Sequence, residues 1–160
     1  MSRTRALVVT PRLPWPLDDG GRIAMWQMLV SVASRFETTL VSMVPAAEAN
    51  QPLPAELRSL GVRVEIVRHV PPSRLVAAVK GAVGPWPYML ERYRHPGMAG
   101  LLRRIAAEER PAFALFNTLH VATYASAIPD VANVLREHNV EADWLERYAA
   151  SLRQPIVRAY

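Results

Sequence analysis

The chain has 160 residues, of which 51% are hydrophobic and 21% charged, with a formal net charge of +5, as in one soluble globular domain. It has no cysteine, which excludes a disulfide framework and a thiolate metal site. No apolar run approaches the ~20 residues of a membrane span, and none follows the basic start as a signal peptide would, so we expect a cytoplasmic protein.

The first elements of the chain are predicted by apolar patterning and helix-capping residues. The apolar run at 5–10 is nearly continuous, which indicates a strand buried on both faces of a parallel sheet. A helix is predicted over 22–34, with Asp19 as its N-cap. The apolar side chains at helical spacing in it are Ile23, Trp26, Val30 and Ala33.

The remaining elements continue the alternation of strand and helix. Further strands are predicted at 38–43, 62–67, 113–116 and 131–135. Further helices are predicted at 54–60, 74–83, 97–109, 120–127 and from Asn139 onward. This order predicts one α/β domain over residues 1–160, doubly wound, with a mainly parallel sheet and helices on both faces. Because no closing turn follows the last helix, we expect a piece of a longer protein.

The connection between the first strand and the first helix is long, rich in proline and ends in Gly20, Gly21 and Arg22. Ligands of parallel sheets bind at the carboxyl ends of the strands, and the amides of a helix N-terminus favour a phosphate. Arg22 would add a charged donor. The alternative is a tight turn with Arg22 on the surface. The spacing matches neither a dinucleotide fingerprint nor a P-loop.

Two later strands also end in polar residues. His120 follows the strand at 113–116, and Glu137 and His138 follow the strand at 131–135. A histidine such as His120 can donate or accept a proton near neutral pH. The alternative is helix capping. No spacing typical of metal ligands accompanies the histidines, so no metal site is predicted.

In chain order, these segments resemble the amino-terminal domain of bacterial family-four-type glycosyltransferases, the retaining GT-B group. The resemblance is carried by TPRLPWPLDDGGRI at 10–23, PYMLERYRHP at 87–96, LHVATYA at 119–125 and LREHNVEADWLERYA at 135–149. It covers nearly the whole chain. It implies that the fold is the Rossmann-like half of a GT-B enzyme and that the missing carboxyl-terminal domain holds the donor.

The resemblance also implies the roles of the candidate residues. Gly20 and Gly21 would approach the diphosphate of a nucleotide-sugar donor, with Arg22 as a helper, and His120 would contact the transferred sugar. Glu137 and His138 would line the same cleft, beside the acceptor hydroxyl of a glycan, lipid-linked or small molecule. No metal and no cofactor besides the donor is implied. The isolated domain is expected to transfer no sugar.

Residues 58–110 carry ten Lys or Arg and four Glu, an excess of six positive charges. Such a stretch fits a dispersed solvated surface or contact with anionic lipid headgroups, which would make the protein peripheral to the inner membrane. Headgroup contact would require Arg74, Lys80, Arg103 and Arg104 to share a face. The alternative function is a non-catalytic nucleotide- or nucleic-acid-binding module, although no aromatic residues are interleaved as a nucleic-acid groove would need.

Overall fold

The computed structural model describes residues 3–137. The helix predicted from Asn139 onward and His138 lie outside the described residues. The described strands are β1 (Arg5–Thr10), β2 (Glu37–Pro45), β3 (Arg63–His69), β4 (Phe113–Asn117) and β5 (Ala132–Arg136). The described helices are α1 (Gly20–Ala33), α2 (Ala55–Ser59), α3 (Arg74–Val83), α4 (Tyr88–Glu91), α5 (Met98–Glu109) and α6 (Leu119–Ala122), with a 3-10 turn at Ala125–Ala127.

The five strands form one sheet in the order β3-β2-β1-β4-β5, and every neighbouring pair is parallel. The predicted doubly wound α/β fold is therefore confirmed. β3, predicted near an edge from its alternating pattern, is an edge strand. Within residues 3–137, each helix is too short or too polar to cross a lipid bilayer.

Helices cover both faces of the sheet because consecutive strand residues point to opposite sides. Leu7 and Val9 of β1 belong to one core, and Val8 belongs to the other. The first core also contains the apolar stripe of α5, formed by Met98, Leu102 and Ile105. The second contains residues of α1 and α2, namely Met28, Leu29 and Leu57.

The buried face of α1 differs from the predicted one. Met25, Met28 and Leu29 are buried, whereas Ile23 and Val30 are 40% and 37% exposed. Apolar side chains lie almost all around this helix, so their spacing did not specify which face meets the sheet. The helix also begins two residues earlier than predicted, at Gly20, and Asp19 is its N-cap as expected.

A glycine lets α3 approach α4 closely. A Cβ built on Gly81 would lie 2.6 Å from the backbone nitrogen of Tyr88 and 2.9 Å from its Cα atom. Both obstructing atoms belong to backbone, so relief would require the two helices to separate. A Cβ built on Gly100 of α5 meets nothing within 4 Å.

Substituting these two glycines by alanine should have opposite effects on stability. Gly81→Ala should lower the free energy of unfolding by about 1–3 kcal/mol through overpacking. Gly100→Ala should raise it by about 0.5 kcal/mol, because alanine loses less backbone entropy in a helix. Urea denaturation followed by circular dichroism measures both. Equal stability of the two variants would contradict the close packing of α3 on α4.

Candidate functional site

The carboxyl ends of β1, β4 and β5 meet at one edge of the sheet, where Arg136 connects the ends of β4 and β5 to α1. Its Nη1 donates to the Asn117 side-chain oxygen at the end of β4 and to the Ala24 carbonyl oxygen in α1, each at 3.4 Å. The Thr118 amide donates to the Arg136 carbonyl oxygen at 2.9 Å. The beginning of α1 and the residues after β4 and β5, all named from the sequence, therefore lie at one edge.

The N-terminus of α1 is capped by the carboxylate of Asp19. Its Oδ1 accepts from the Arg22 amide at 2.9 Å and from Arg12 Nη2 at 2.7 Å. The Arg22 amide is the main cause that lowers the pKa of the Asp19 carboxyl, and Arg12 and the Gly21 amide lower it further. A phosphate at these amides would therefore have to displace the carboxylate. The space beside Gly20 is open, because a Cβ built there meets no atom within 4 Å. The phosphate roles of Gly20 and Gly21 stay a prediction.

The guanidinium of Arg22 is held by the aspartate that precedes the cap. Arg22 Nη1 donates to both carboxylate oxygens of Asp18 at 2.8 Å. Its Nε atom is buried and has no hydrogen-bond partner within residues 3–137. Arg22 is therefore oriented by Asp18, and it keeps an unsatisfied donor at the helix N-terminus; its role toward a ligand stays a prediction.

Thr118, which immediately follows β4, has a strained backbone. Its φ is 90° and its ψ is 153°, a region that side-chain-bearing residues rarely adopt. Its Oγ1 lies 3.1 Å from Nδ1 of His120, a hydrogen-bond distance. The His120 ring packs on the ring of Tyr93, with centroids 4.5 Å apart. Thr118 and Tyr93 thus position the predicted sugar-contacting histidine.

Tyr93 also contacts a histidine that sequence reasoning missed. His69, the last residue of β3, stacks on Tyr93 with centroids 6.3 Å apart, and its ring is 6.2 Å from that of His95. The sequence prediction ended this strand at Val67, so His69 was assigned to the connection that follows it and was not considered as a site residue. Extending the strand by two residues would have placed it at the carboxyl edge, where candidate residues were sought.

A half-buried tyrosine, Tyr124, holds the segment that carries Tyr93 and His95. The hydroxyl of Tyr124 donates to the Tyr93 carbonyl oxygen at 2.8 Å and accepts from the His95 amide at 2.6 Å. Burial raises the pKa of this tyrosine, so its hydroxyl remains a donor well beyond neutral pH. The three rings of His69, Tyr93 and His120 therefore form a fixed aromatic cluster beside the end of β4.

Polar side chains also lie inside the sheet at the ends of its central strands. Thr10 and Ser42 are fully buried, and their hydroxyls are 3.0 Å apart. Asn117 is fully buried too, and its side-chain nitrogen has no hydrogen-bond partner within residues 3–137. An unpartnered buried amide nitrogen is costly, so this donor calls for a partner such as an ordered water or a ligand. The Thr10–Ser42 pair was not singled out as a site from the sequence.

The remaining nominated residues lie after β5. Glu137 is exposed, directly beyond the end of the strand, and His138 lies outside the described residues. Within residues 3–137, no group of three or more histidines and carboxylates is placed to hold a metal ion. A cavity of about 260 Å³ between α4, α5 and the residues after α6 is lined by Trp86, Arg94, Arg103 and Tyr124, and by none of the nominated residues.

We expect His69 to make stability depend on pH. Its Nε2 must donate to the Arg92 carbonyl oxygen, 2.7 Å away, because a carbonyl only accepts. Burial, with the nearby charges of His95 and Arg92, lowers the pKa of His69 below its ordinary 6.5, and its buried Nδ1 has no partner within residues 3–137. Below pH 6.5, the unfolded chain therefore binds a proton that the folded chain resists, so stability falls as the pH falls.

The measurement is the free energy of unfolding between pH 7.5 and pH 5, by urea denaturation, for the native chain and His69→Gln. The native chain should lose more stability on acidification than the variant does. His95→Gln removes one charge that opposes protonation of His69 but leaves its burial, so it should reduce the pH dependence by less than His69→Gln does. A pH dependence that survives unchanged in His69→Gln would contradict the assignment.

Two substitutions separate the strain at Thr118 from its hydrogen bond to His120. Thr118→Ala and Thr118→Gly both remove the hydroxyl, but only glycine adopts a φ of 90° without steric cost. Thr118→Gly should therefore be more stable than Thr118→Ala by about 1–2 kcal/mol. Thermal and urea unfolding give the difference, and an alanine variant at least as stable as the glycine variant would contradict the strain.

Comparison with known proteins assigns no role to this site. No protein-family model matches the chain, and no curated protein sequence matches it. A functional proposal therefore depends on the resemblance of the sequence segments and on the geometry of the carboxyl edge.

Proposed function

We propose that this chain is the acceptor-side domain of a GT-B glycosyltransferase of the hexosyltransferase type. The enzyme would move a sugar from a nucleotide-diphosphate donor to an acceptor hydroxyl in the cytoplasm. The proposal draws on the resemblance of the four sequence segments to family-four-type enzymes. The parallel sheet, with polar residues at the carboxyl ends of its strands, suits such a domain.

The observation that supports the proposal most is the link that Arg136 makes. One guanidinium nitrogen donates to both the side-chain oxygen of Asn117, at the end of β4, and the carbonyl oxygen of Ala24, near the beginning of α1. It therefore holds the glycine pair on the same edge of the sheet as His120 and Glu137. A donor diphosphate at Gly20 and a sugar at His120 would then be neighbouring parts of one bound molecule.

The electrostatics of this edge suit a reaction that releases a nucleoside diphosphate. Negative charge develops on the leaving diphosphate, and the N-terminal amides and dipole of α1 would stabilise it. Asp19 holds this position in the free protein and would give way to the phosphate. The displaced carboxylate of Asp19 would keep its ion pair with Arg12. Arg22, oriented by Asp18, would supply a further positive charge.

His120 and the residues after β5 would act on the sugar and the acceptor. Thr118 and Tyr93 fix the orientation of the His120 ring, which is what contact with one hydroxyl of the transferred sugar requires. Glu137, or His138 beyond the described residues, would orient or deprotonate the acceptor hydroxyl. We propose that neither a metal nor another cofactor takes part and that a donor-holding partner domain completes the cleft.

The proposal is tested by measuring nucleoside-diphosphate binding to the native chain and to Gly20→Ala by isothermal titration calorimetry with UDP and GDP. A methyl group at Gly20 meets no atom within 4 Å, so it leaves the fold intact while occupying the space a phosphate would approach. We expect weak binding by the native chain that falls about tenfold in the variant, as loss of one or two charge-assisted hydrogen bonds implies. Gly100→Ala, an equally unobstructed helical glycine, should bind as the native chain does.

Two outcomes would contradict the proposal. One is no binding of either nucleotide to the native chain, or equal binding by the native chain and Gly20→Ala. The other is transfer of sugar from a nucleotide-sugar by the 160-residue chain alone, because the proposal assigns the diphosphate and sugar contacts to this domain and the rest of the donor to a second one. Steeply salt-dependent binding of random duplex DNA would favour the nucleic-acid module instead.

A further inference from the structure

The helix α3 turns a large apolar face to solvent. Leu75, Val76, Val79 and Val83 are 75%, 45%, 55% and 83% exposed. Positions four residues apart share one side of a helix, so Leu75, Val79 and Val83 form a continuous stripe, and Val76 lies beside it. We call these four residues the α3 face. Val70, 73% exposed, comes just before the helix.

The small residues of α3 hold it to the rest of the molecule. Ala77 is its only buried residue, and Gly81 lies against the backbone of Tyr88 at the start of α4. Small residues, Ala77 and Gly81, thus make this packing, while the larger aliphatic side chains are exposed to solvent. This arrangement reverses the usual one, in which a surface helix buries its large apolar residues, so the α3 face is suited to a surface outside this domain.

The segment that carries the α3 face contains only positive charges. No aspartate or glutamate occurs between Glu65 and Glu91, whereas Arg68, Arg74 and Lys80 lie in that interval. All three cations are exposed, and none forms an ion pair with a carboxylate within residues 3–137. An apolar stripe on a segment whose charged residues are all cations is complementary to a negatively charged surface with an apolar interior.

We propose that the α3 face lies on an anionic lipid bilayer. Ten residues are too few to cross the hydrocarbon core but enough to lie in the interfacial plane, with the aliphatic side chains below the headgroups. Lys80 and Arg74 contact lipid phosphates, and Trp86, just after the helix, lies at the headgroup level that tryptophan favours. A second copy of the chain is a poor occupant, because a two-fold contact would bring the same cations together.

Headgroup contact, as expected from the sequence, requires the α5 cations Arg103 and Arg104 to join Arg74 and Lys80, but the surroundings of the two α5 cations differ. Arg104 is directed to carboxylates, 3.2 Å from Glu108 and 3.9 Å from Glu65. It is therefore satisfied within the domain and takes no part in the proposed lipid contact. Arg103 lines the cavity that Trp86 also lines. Membrane docking is independent of the proposed glycosyltransferase function, since it uses none of the residues at the carboxyl edge.

Sedimentation with sucrose-loaded vesicles tests the proposal. The native chain should bind vesicles of 40% phosphatidylglycerol in phosphatidylcholine at low salt, and pure phosphatidylcholine much less. The triple variant Leu75→Ser, Val79→Ser and Val83→Ser should lose on the order of tenfold or more in partitioning, because it removes the inserted apolar area. Val30→Ser, at an exposed valine of α1, is the matched control and should bind as the native chain does.

A second arm tests the charge. Arg74→Gln with Lys80→Gln should weaken binding to anionic vesicles by on the order of tenfold, whereas Arg35→Gln, an exposed cation on the connection after α1, should change it little. Far-UV circular dichroism confirms that each variant is folded. The proposal is overturned if the folded native chain does not bind anionic vesicles, or if binding survives the triple substitution. It is also overturned if the triple substitution instead abolishes a dimer seen by light scattering.

Discussion

The structure depends on the burial of β1 between β2 and β4. Leu7, Val8 and Val9 have no exposed surface, and they point alternately into the two cores on either face of the sheet. One strand therefore anchors helices on both sides and sets the register of both its neighbours. Because all these pairings are parallel, every strand ends at the same edge, which is the physical origin of the candidate site.

At that edge the sheet tolerates features that stability alone would not favour. Asn117 buries a side-chain nitrogen that has no hydrogen-bond partner in the described part of the chain, and Thr118 holds a backbone conformation rare outside glycine. Both are tolerated because β4 is packed on both faces and paired on both sides, so the surrounding structure holds its end in this conformation. Strain and an unsatisfied donor at one strand end, beside a fixed histidine, are typical of a place where a ligand binds.

The sequence predicted the sheet well because buried parallel strands are apolar over their whole length, so β1 and β4 stand out without reference to tertiary contacts. It also located the polar residues at the strand ends, including His120. It failed for the face of α1, which is apolar nearly all around. It also failed for the cluster of His69 and Tyr93, since a contact between residues so far apart along the chain follows from the packing of the connection after β3. The engagement of Arg22 by Asp18 likewise depends on side-chain conformations that spacing does not encode.

Hydrogen–deuterium exchange with and without a nucleoside diphosphate tests the central claim most directly, because it reports on individual backbone amides at the carboxyl edge. The account predicts that UDP or GDP slows exchange at the amides of Gly20 and Gly21 and around Thr118 and His120. It predicts no change at the amino edge of the sheet, near Glu37. Protection confined to other regions, or none at saturating nucleotide, would contradict the claim that this edge binds a diphosphate.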